Sequence, residues 1–286
     1  MQLIQSLDPL RRATQILRDS GPLALVPTMG ALHDGHLTLV REAKKHAGHV
    51  AVSIFVNPRQ FGANEDLDAY PRPMERDCAL LEVEGVDLVW APSVDVMYPQ
   101  GYATNISVSG VSDGLCGASR PGHFDGVASV VCKLFNQIRP DMAFFGEKDW
   151  QQLAVIRRMA RDLDLVLPVA DAIHGVETVR EADGLAMSSR NAYLTVEERA
   201  HAAILPCAMR AAIAAIESGA SVSAALSELQ AGLVAGGFCS VDYAELCDAA
   251  NLTALSERVA VPMRLLVAAR IGKARLIDNM AVAPIT

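Results

Sequence analysis

The run Leu23-Ala24-Leu25-Val26 contains no polar residue, and it leads through Gly30 into residues 35–46, where apolar side chains recur at helical spacing. A strand that is apolar at every position must be covered on both faces, and a helix directly after it supplies one of the covers. The same alternation recurs. Strands are predicted at residues 23–26, 50–56, 86–90, 142–145 and 165–169, with helices at 9–19, 35–46, 73–84, 126–138 and 150–162. The pattern predicts an α/β fold, a parallel sheet with helices on both faces, whose ligands bind beyond the carboxyl ends of the strands. Three unusual loops fall on that rim: 28–36, 57–73 and 146–149.

The texture changes near residue 179. Long alanine-rich helical stretches at 196–217 and 222–234 precede apolar runs at 241–246, 264–269 and 274–277, the pattern of a smaller α+β domain. The expected division is therefore 1–178 and 179–286, which 286 residues accommodate. Thr195 and Glu198 have the spacing of a helix-starting capping box. Residues 1–9 lack the basic start and apolar stretch of a secretory signal. The most apolar helical stretch, 202–216, carries Pro206 and Arg210, reads as an alanine-rich helix and falls short of a membrane span. The cysteines at 78, 116, 132, 207, 239 and 247 form no metal-ligand spacing, so reduced thiols and a cytoplasmic setting are expected. A net charge of −8 disfavours nucleic acid and leaves small anionic substrates, which need locally gathered positive groups.

The candidates for that gathering begin with Thr28-Met29-Gly30-Ala31-Leu32-His33-Asp34-Gly35-His36. A turn from strand into helix aims backbone N–H groups and the positive end of the helix dipole at an anion. Histidines at i and i+3 on the first helical turn would converge on a phosphate, although such a pair also serves as a metal half-site, a cap or plain surface. Asn57 and Gln60 in the next loop can present amides to hydroxyls or a carboxylate; Asn57-Pro58 is equally a turn opening. Gly146-Glu147-Lys148-Asp149 repeats the strand–glycine–helix arrangement, with Lys148 as a point charge and Asp149 as a ribose acceptor or a helix cap. Gln152 lies four residues beyond Lys148. Met187-Ser188-Ser189-Arg190-Asn191 offers hydroxyls and a guanidinium that suit a lid, or an ordinary polar turn, and Arg120 can hold a carboxylate.

Taken in order, these segments identify a resemblance. Residues 27–36, Ser53-Ile54-Phe55-Val56-Asn57-Pro58-Arg59-Gln60-Phe61, Arg120-Pro121-Gly122-His123-Phe124, residues 145–149 and residues 180–191 run nearly the length of the chain. The chain resembles the pantoate–β-alanine ligases of the nucleotidyltransferase superfamily, which have a Rossmann-like fold. The resemblance implies ATP-dependent condensation of (R)-pantoate with β-alanine through an enzyme-bound pantoyl adenylate, giving pantothenate, AMP and pyrophosphate. It also implies Mg²⁺, with no ligand assigned although Asp77 lies where an acid can serve it, and a homodimer. Carried onto this chain, it places ATP on Met29, Gly30, Ala31, Leu32, His33, Asp34, Gly35, His36, Gly146, Glu147, Lys148, Asp149, Val179, Met187, Ser188, Ser189 and Arg190. His36 is the implied proton donor, with His33 and Lys148 on the phosphates, and Gln60 and Gln152 hold pantoate.

Two rivals follow from the same residues. A nucleotidyltransferase of the same fold could make a stable nucleotide-linked product, and a regulatory module could bind nucleotide without turnover. Release of AMP only when both pantoate and β-alanine are present separates these readings. No dedicated base for the β-alanine amine is visible in the sequence.

Overall fold

The computed structural model describes residues 1–62 and 65–285, so two residues of the 57–73 loop lie outside the described set. In chain order the elements are β1 (Gln2–Ile4), α1 (Leu7–Ser20), β2 (Leu23–Thr28), α2 (Asp34–His46), β3 (His49–Ile54), α3 (Met74–Val83), β4 (Leu88–Trp90), α4 (Val94–Met97), α5 (Leu115–Ser119), α6 (His123–Ile138), β5 (Met142–Gly146), α7 (Trp150–Asp162), β6 (Ile173–Val176), α8 (Val196–Ala202), α9 (Ile204–Glu217), α10 (Val222–Ala235), β7 (Ser240–Asp248), β8 (Met263–Ile271) and β9 (Ala274–Val282). They form two compact units. The first holds residues 1–109, 120–147 and 152–177, and the second holds 110–119, 148–151 and 178–286.

The first unit is built on a six-stranded sheet of order β1-β4-β3-β2-β5-β6, parallel throughout. Strand alternation divides its side chains between two faces. Ala24, Val26, Val50, Val52 and Val89 pack with Leu37, Val40 and Ala43 of α2 and Leu81 of α3. Leu23, Leu25, Ala51, Leu88 and Trp90, the alternate positions, are also buried, and the Trp90 indole donates to Gln137 of α6 at 3.0 Å. Helices thus cover both faces, as the uninterrupted apolar strands require. The order of strands reverses at β2, which pairs with β3 on one side and β5 on the other.

The second unit has the antiparallel sheet β7-β8-β9 under α9 and α10. Leu205, Met209, Ala212 and Ile216 of α9 and Leu229 and Leu233 of α10 join Leu265, Val267 and Leu276 in its core. The capping box is present, with Thr195 Oγ1 accepting from Glu198 N–H and Glu198 Oε2 from Thr195 N–H.

Three elements differ from the sequence reading. The expected strand at 165–169 is irregular, with Val166 75% exposed, and the edge strand is β6 instead. Pro168 has no N–H to give a ladder, whereas residues 173–176 pair in register with β5. The stretch 196–217 is two helices, because Pro206 cannot bond the carbonyl of Ala202 and its ring crowds that carbonyl. β1 is too short to carry a periodic signal, yet it pairs with β4.

Candidate active site

The site in the first unit is set by how the chain leaves β2. Thr28 Oγ1 donates to Ser53 O at 2.8 Å and accepts from Gly30 N–H at 3.2 Å, which folds the chain back over the sheet end. Gly30 has φ +84°, and a Cβ there would stand 3.1 Å from both Asp77 Oδ2 and Ile54 Cγ2. Glycine is needed for conformation and for space. Ala31 follows at φ +52°, a left-handed conformation costing an ordinary residue about 1–2 kcal/mol.

Asp77 stabilises that turn. It lies in the first turn of α3, only 1% exposed, and its carboxylate accepts from Ala31 N–H at 2.7 Å and Leu32 N–H at 2.9 Å. Charge-assisted bonds to the backbone offset the cost of the left-handed residue.

His33 is the N-cap of α2, with extended dihedrals, so it stands just outside the helix and not on its first turn as the spacing suggested. Its Nδ1 accepts from Gly35 N–H at 3.1 Å, and His36 Nδ1 accepts from His33 N–H at 3.4 Å. The histidines form a reciprocal capping box, with ring centroids 4.1 Å apart. Because each Nδ1 is an acceptor, each neutral ring carries its hydrogen on Nε2. The amides of Ala31, Leu32 and Gly35, expected to point at an anion, are taken by the chain's own side chains. What this turn offers an anion is imidazole N–H. Asp34 turns away to Arg41, at 3.3 Å.

At the end of β3 the residues Pro58–Gln60 form a 3-10 turn capped by Asn57. The Gln60 side chain donates through Nε2 to Met29 Sδ at 3.1 Å and accepts at Oε1 from Asn57 Nδ2 at 3.0 Å. Asn57, expected to face substrate, is only 1% exposed. Its amide also donates to Gly126 O at 3.1 Å and accepts from the Tyr98 hydroxyl at 2.8 Å, so it works behind Gln60. Burial, with Tyr102 nearby, raises the Tyr98 hydroxyl well above its ordinary range despite Arg59, so it remains a donor.

Arg120 holds a carboxylate, as expected of it, but one that belongs to this chain. Nε and Nη2 meet the two oxygens of Glu65 at 2.6 Å each, and Nη2 also reaches Gln60 O at 3.2 Å, beside His123 Nδ1 at 2.8 Å from the same oxygen. Burial alone would raise the Glu65 carboxyl, but hydrogen bonding and charge from Arg120 outweigh it and hold the group at about 2. Beyond the ends of β2, β3 and β4 lies a cavity of about 210 Å³, largely apolar, with Met29, Gly30, Phe55, Arg72, Asp77 and Ser93 among its walls. Gln152 on α7 is half-buried, and its amide makes no hydrogen bond among the described residues. Gly146 ends β5 and Glu147 opens the 3-10 turn after it.

In the second unit Lys148 Nζ lies 3.4 Å from Asp149 Oδ2, and its carbonyl accepts from Asn279 Nδ2 at 2.9 Å. Lys148 sits in the 3-10 turn Glu147–Asp149 ahead of α7, so its spacing of four to Gln152 is not a helical repeat. Val179 and Met187 come together, Met187 N–H donating to Val179 O at 2.9 Å across a tight turn through Gly184 at φ +90°. Ser188 caps the following 3-10 turn Ser189–Tyr193, accepting from Arg190 N–H at 3.3 Å.

No group of three or more His, Cys, Asp or Glu side chains suited to a metal occurs among the described residues. Both oxygens of Asp77 already accept backbone amides, and no further acid, histidine or cysteine joins it in a metal-suited group among the described residues, so the residues present do not form a ready-made Mg²⁺ site.

The family model for pantoate–β-alanine ligase matches residues 2–281. A pantothenate synthetase of Novosphingobium aromaticivorans is 69% identical over 285 residues, covering 99% of this chain and 100% of that protein. The crystal structure of pantothenate synthetase from Thermus thermophilus has a TM-score of 0.92 at 48% identity, over 99% of this chain and 100% of that one. A pantoate–β-alanine ligase from Francisella tularensis, complexed with β,γ-ATP and β-alanine, has a TM-score of 0.83 at 32% identity over 98% and 97% of the two chains. Matched along nearly its whole length, the chain belongs to the pantoate–β-alanine ligase family.

Proposed function

We propose that this protein condenses (R)-pantoate with β-alanine, using ATP, through a pantoyl adenylate, and releases AMP and pyrophosphate. The observation that carries the reading is a juxtaposition in the first unit. A pair of Nε2–H imidazoles follows β2, the Gln60 amide follows β3, and Gln60 Nε2–H bonds Met29 Sδ at 3.1 Å to tie the two loops together. Phosphate chemistry and recognition of a hydroxy acid thus share one rim of the sheet.

In the first half-reaction a pantoate carboxylate oxygen attacks the α-phosphorus and the bond to pyrophosphate breaks. Negative charge grows on the non-bridging and leaving oxygens, where the Nε2–H groups of His33 and His36 serve as hydrogen-bond donors; for His36 to pass a proton to the departing group, as the resemblance implies, its ring must first be the imidazolium, which gives up the Nδ1 bond from His33 N–H. Gln60 and Gln152 orient the pantoate; Asn57 and Arg120 act through Gln60. In the second half the β-alanine amine attacks the acyl carbon, the bond from that carbon to the phosphate oxygen breaks so that AMP leaves, and the amine's proton passes to water. Gly146, Glu147, Lys148, Asp149, Val179, Met187, Ser188, Ser189 and Arg190 complete the proposed ATP contacts. Mg²⁺ is proposed to arrive on the nucleotide's phosphates, the habit of an ion that keeps its water and borrows few protein ligands. The six free cysteines suit a cytoplasmic enzyme, and a homodimer is proposed from the resemblance.

Stoichiometric enzyme incubated with ATP, pantoate and Mg²⁺ tests the reading. Pyrophosphate and a trapped acyl adenylate are expected, with AMP appearing only after β-alanine is added. Neither product from folded protein would leave a nucleotide-binding module. His36→Ala is expected to slow adenylation by about 10²–10³, the typical loss of one preorganised donor.

A further inference from the structure

Asp77 is a buried acid that the proposed reaction does not use. Its carboxylate fills the concavity made by two successive backbone N–H groups, those of Ala31 and Leu32, at 2.7 and 2.9 Å. A nest of this kind ordinarily captures an anion from outside the backbone. Here the chain supplies the anion from α3, some 45 residues away in sequence. Gly30 at φ +84° and Ala31 at φ +52° bend the chain around the carboxylate, and Leu32 leads directly into His33. Beyond that point the ring positions are set by backbone: Gly35 N–H holds His33 Nδ1, and His33 N–H holds His36 Nδ1. A shift of the turn is therefore passed to both imidazoles.

We propose that Asp77 is a positioning residue for adenylation: by occupying the Ala31–Leu32 nest, its carboxylate fixes where His33 and His36 stand against the phosphates of ATP. The proposal rests on the reading that these histidines meet the phosphates. It is distinct from a metal role, which would put an ion on the carboxylate's remaining lone pairs beside these amides. Glu75 and Arg76, its neighbours on α3, are more accessible to solvent, while Asp77 is buried.

Asp77→Asn keeps the shape and one acceptor oxygen, but turns an NH₂ group toward a backbone N–H. Pantoate-dependent exchange between ATP and pyrophosphate is expected to fall about 10–100-fold in rate, the scale of a small misplacement at a reacting centre. The KM for β-alanine should stay within about twofold, since the perturbed groups serve the first half-reaction. In the same variant the amide resonances of Ala31 and Leu32 and the ring nitrogens of His33 and His36 should move together. Recovery of wild-type exchange at high Mg²⁺ would overturn the proposal in favour of a metal ligand. Full-rate exchange with shifted Ala31 and Leu32 resonances would overturn it in favour of a purely structural acid. A measurement on the unaltered protein serves should Asp77→Asn fail to fold: Mg²⁺ added without nucleotide is expected to leave the Ala31 and Leu32 amides unmoved, and saturable shifts there would refute the proposal. Failure of the histidine reading appears elsewhere, as full adenylation by folded His36→Ala.

Discussion

Gly126 shows how a single missing atom can govern where a proposed substrate-binding side chain stands. A Cβ on this residue of α6 would collide with the Arg59 carbonyl and stand 2.7 Å from Gln60 N, both of them backbone. The turn that carries Gln60 can lie on α6 only because position 126 is bare, and the Gly126 carbonyl then receives Asn57 Nδ2–H. Gly126→Ala is expected to cost about 1–3 kcal/mol of stability as overpacking. With Gln60 displaced, kcat/KM for pantoate should fall about 10–100-fold while KM for ATP changes little. Steady-state kinetics with each substrate varied checks the split; equal loss for both substrates would assign the glycine to folding alone. None of this was legible beforehand. Gly126 reads in sequence as an ordinary residue opening an apolar helix, and Asp77 as an acid near a possible metal, because their partners are far off in the chain. His33, His36 and Gln60 were legible, since their motifs are local.

Among elements, an ion pair ties the described part of the segment between β3 and α3 to the residues ahead of α6. Glu65 is gripped by Arg120 in the turn between α5 and α6, and the same guanidinium reaches Gln60 O. The folded carboxyl at about 2 lies below its ordinary 4.5, so the unfolded chain binds more protons between those values. Stability from this pair is complete above about pH 4.5 and drains away as pH falls toward 2. A shift of that size corresponds to at most about 3 kcal/mol, and residual solvent exposure brings it to about 1–2 kcal/mol. The melting temperatures of wild type and Glu65→Gln should therefore differ at pH 6, with the gap narrowing by pH 3 and closing toward pH 2; a constant gap would show that the charge is immaterial. Element boundaries were legible where hydrophobic period and caps agreed. α7 starts and stops where its pattern does, and Thr195 opens α8. They were not legible where tertiary pairing chose the segment, as it chose 173–176 over 165–169 and gave β1 a partner in β4.

For the whole molecule, a net charge of −8 must coexist with affinity for ATP and pantoate, both anions, so binding depends on local donors against an unfavourable overall field. Ligands that bind only the folded protein raise its stability by mass action, about 2.7 kcal/mol at one hundred times Kd. For a chain of 286 residues the melting temperature should rise by roughly 4–5 °C for each ligand at that concentration, and more salt should weaken the binding less than it would for a polyanion. Calorimetry with and without both substrates checks this, and an unmoved transition would remove substrate binding. The division into α/β and α+β portions was legible from periodicity, but the interleaving was not: residues 110–119 and 148–151 are part of the second unit. Leu115 and Trp150 cluster there with Cys247 and Leu266, and Trp150 Nε1 donates to Ala249 O at 2.9 Å. A ribosome makes the chain from its N-terminus, so these apolar side chains leave the exit tunnel well before the sheet that buries them exists. During synthesis they are sticky, unsheltered surface, and the nascent protein at that stage is a natural client for a chaperone.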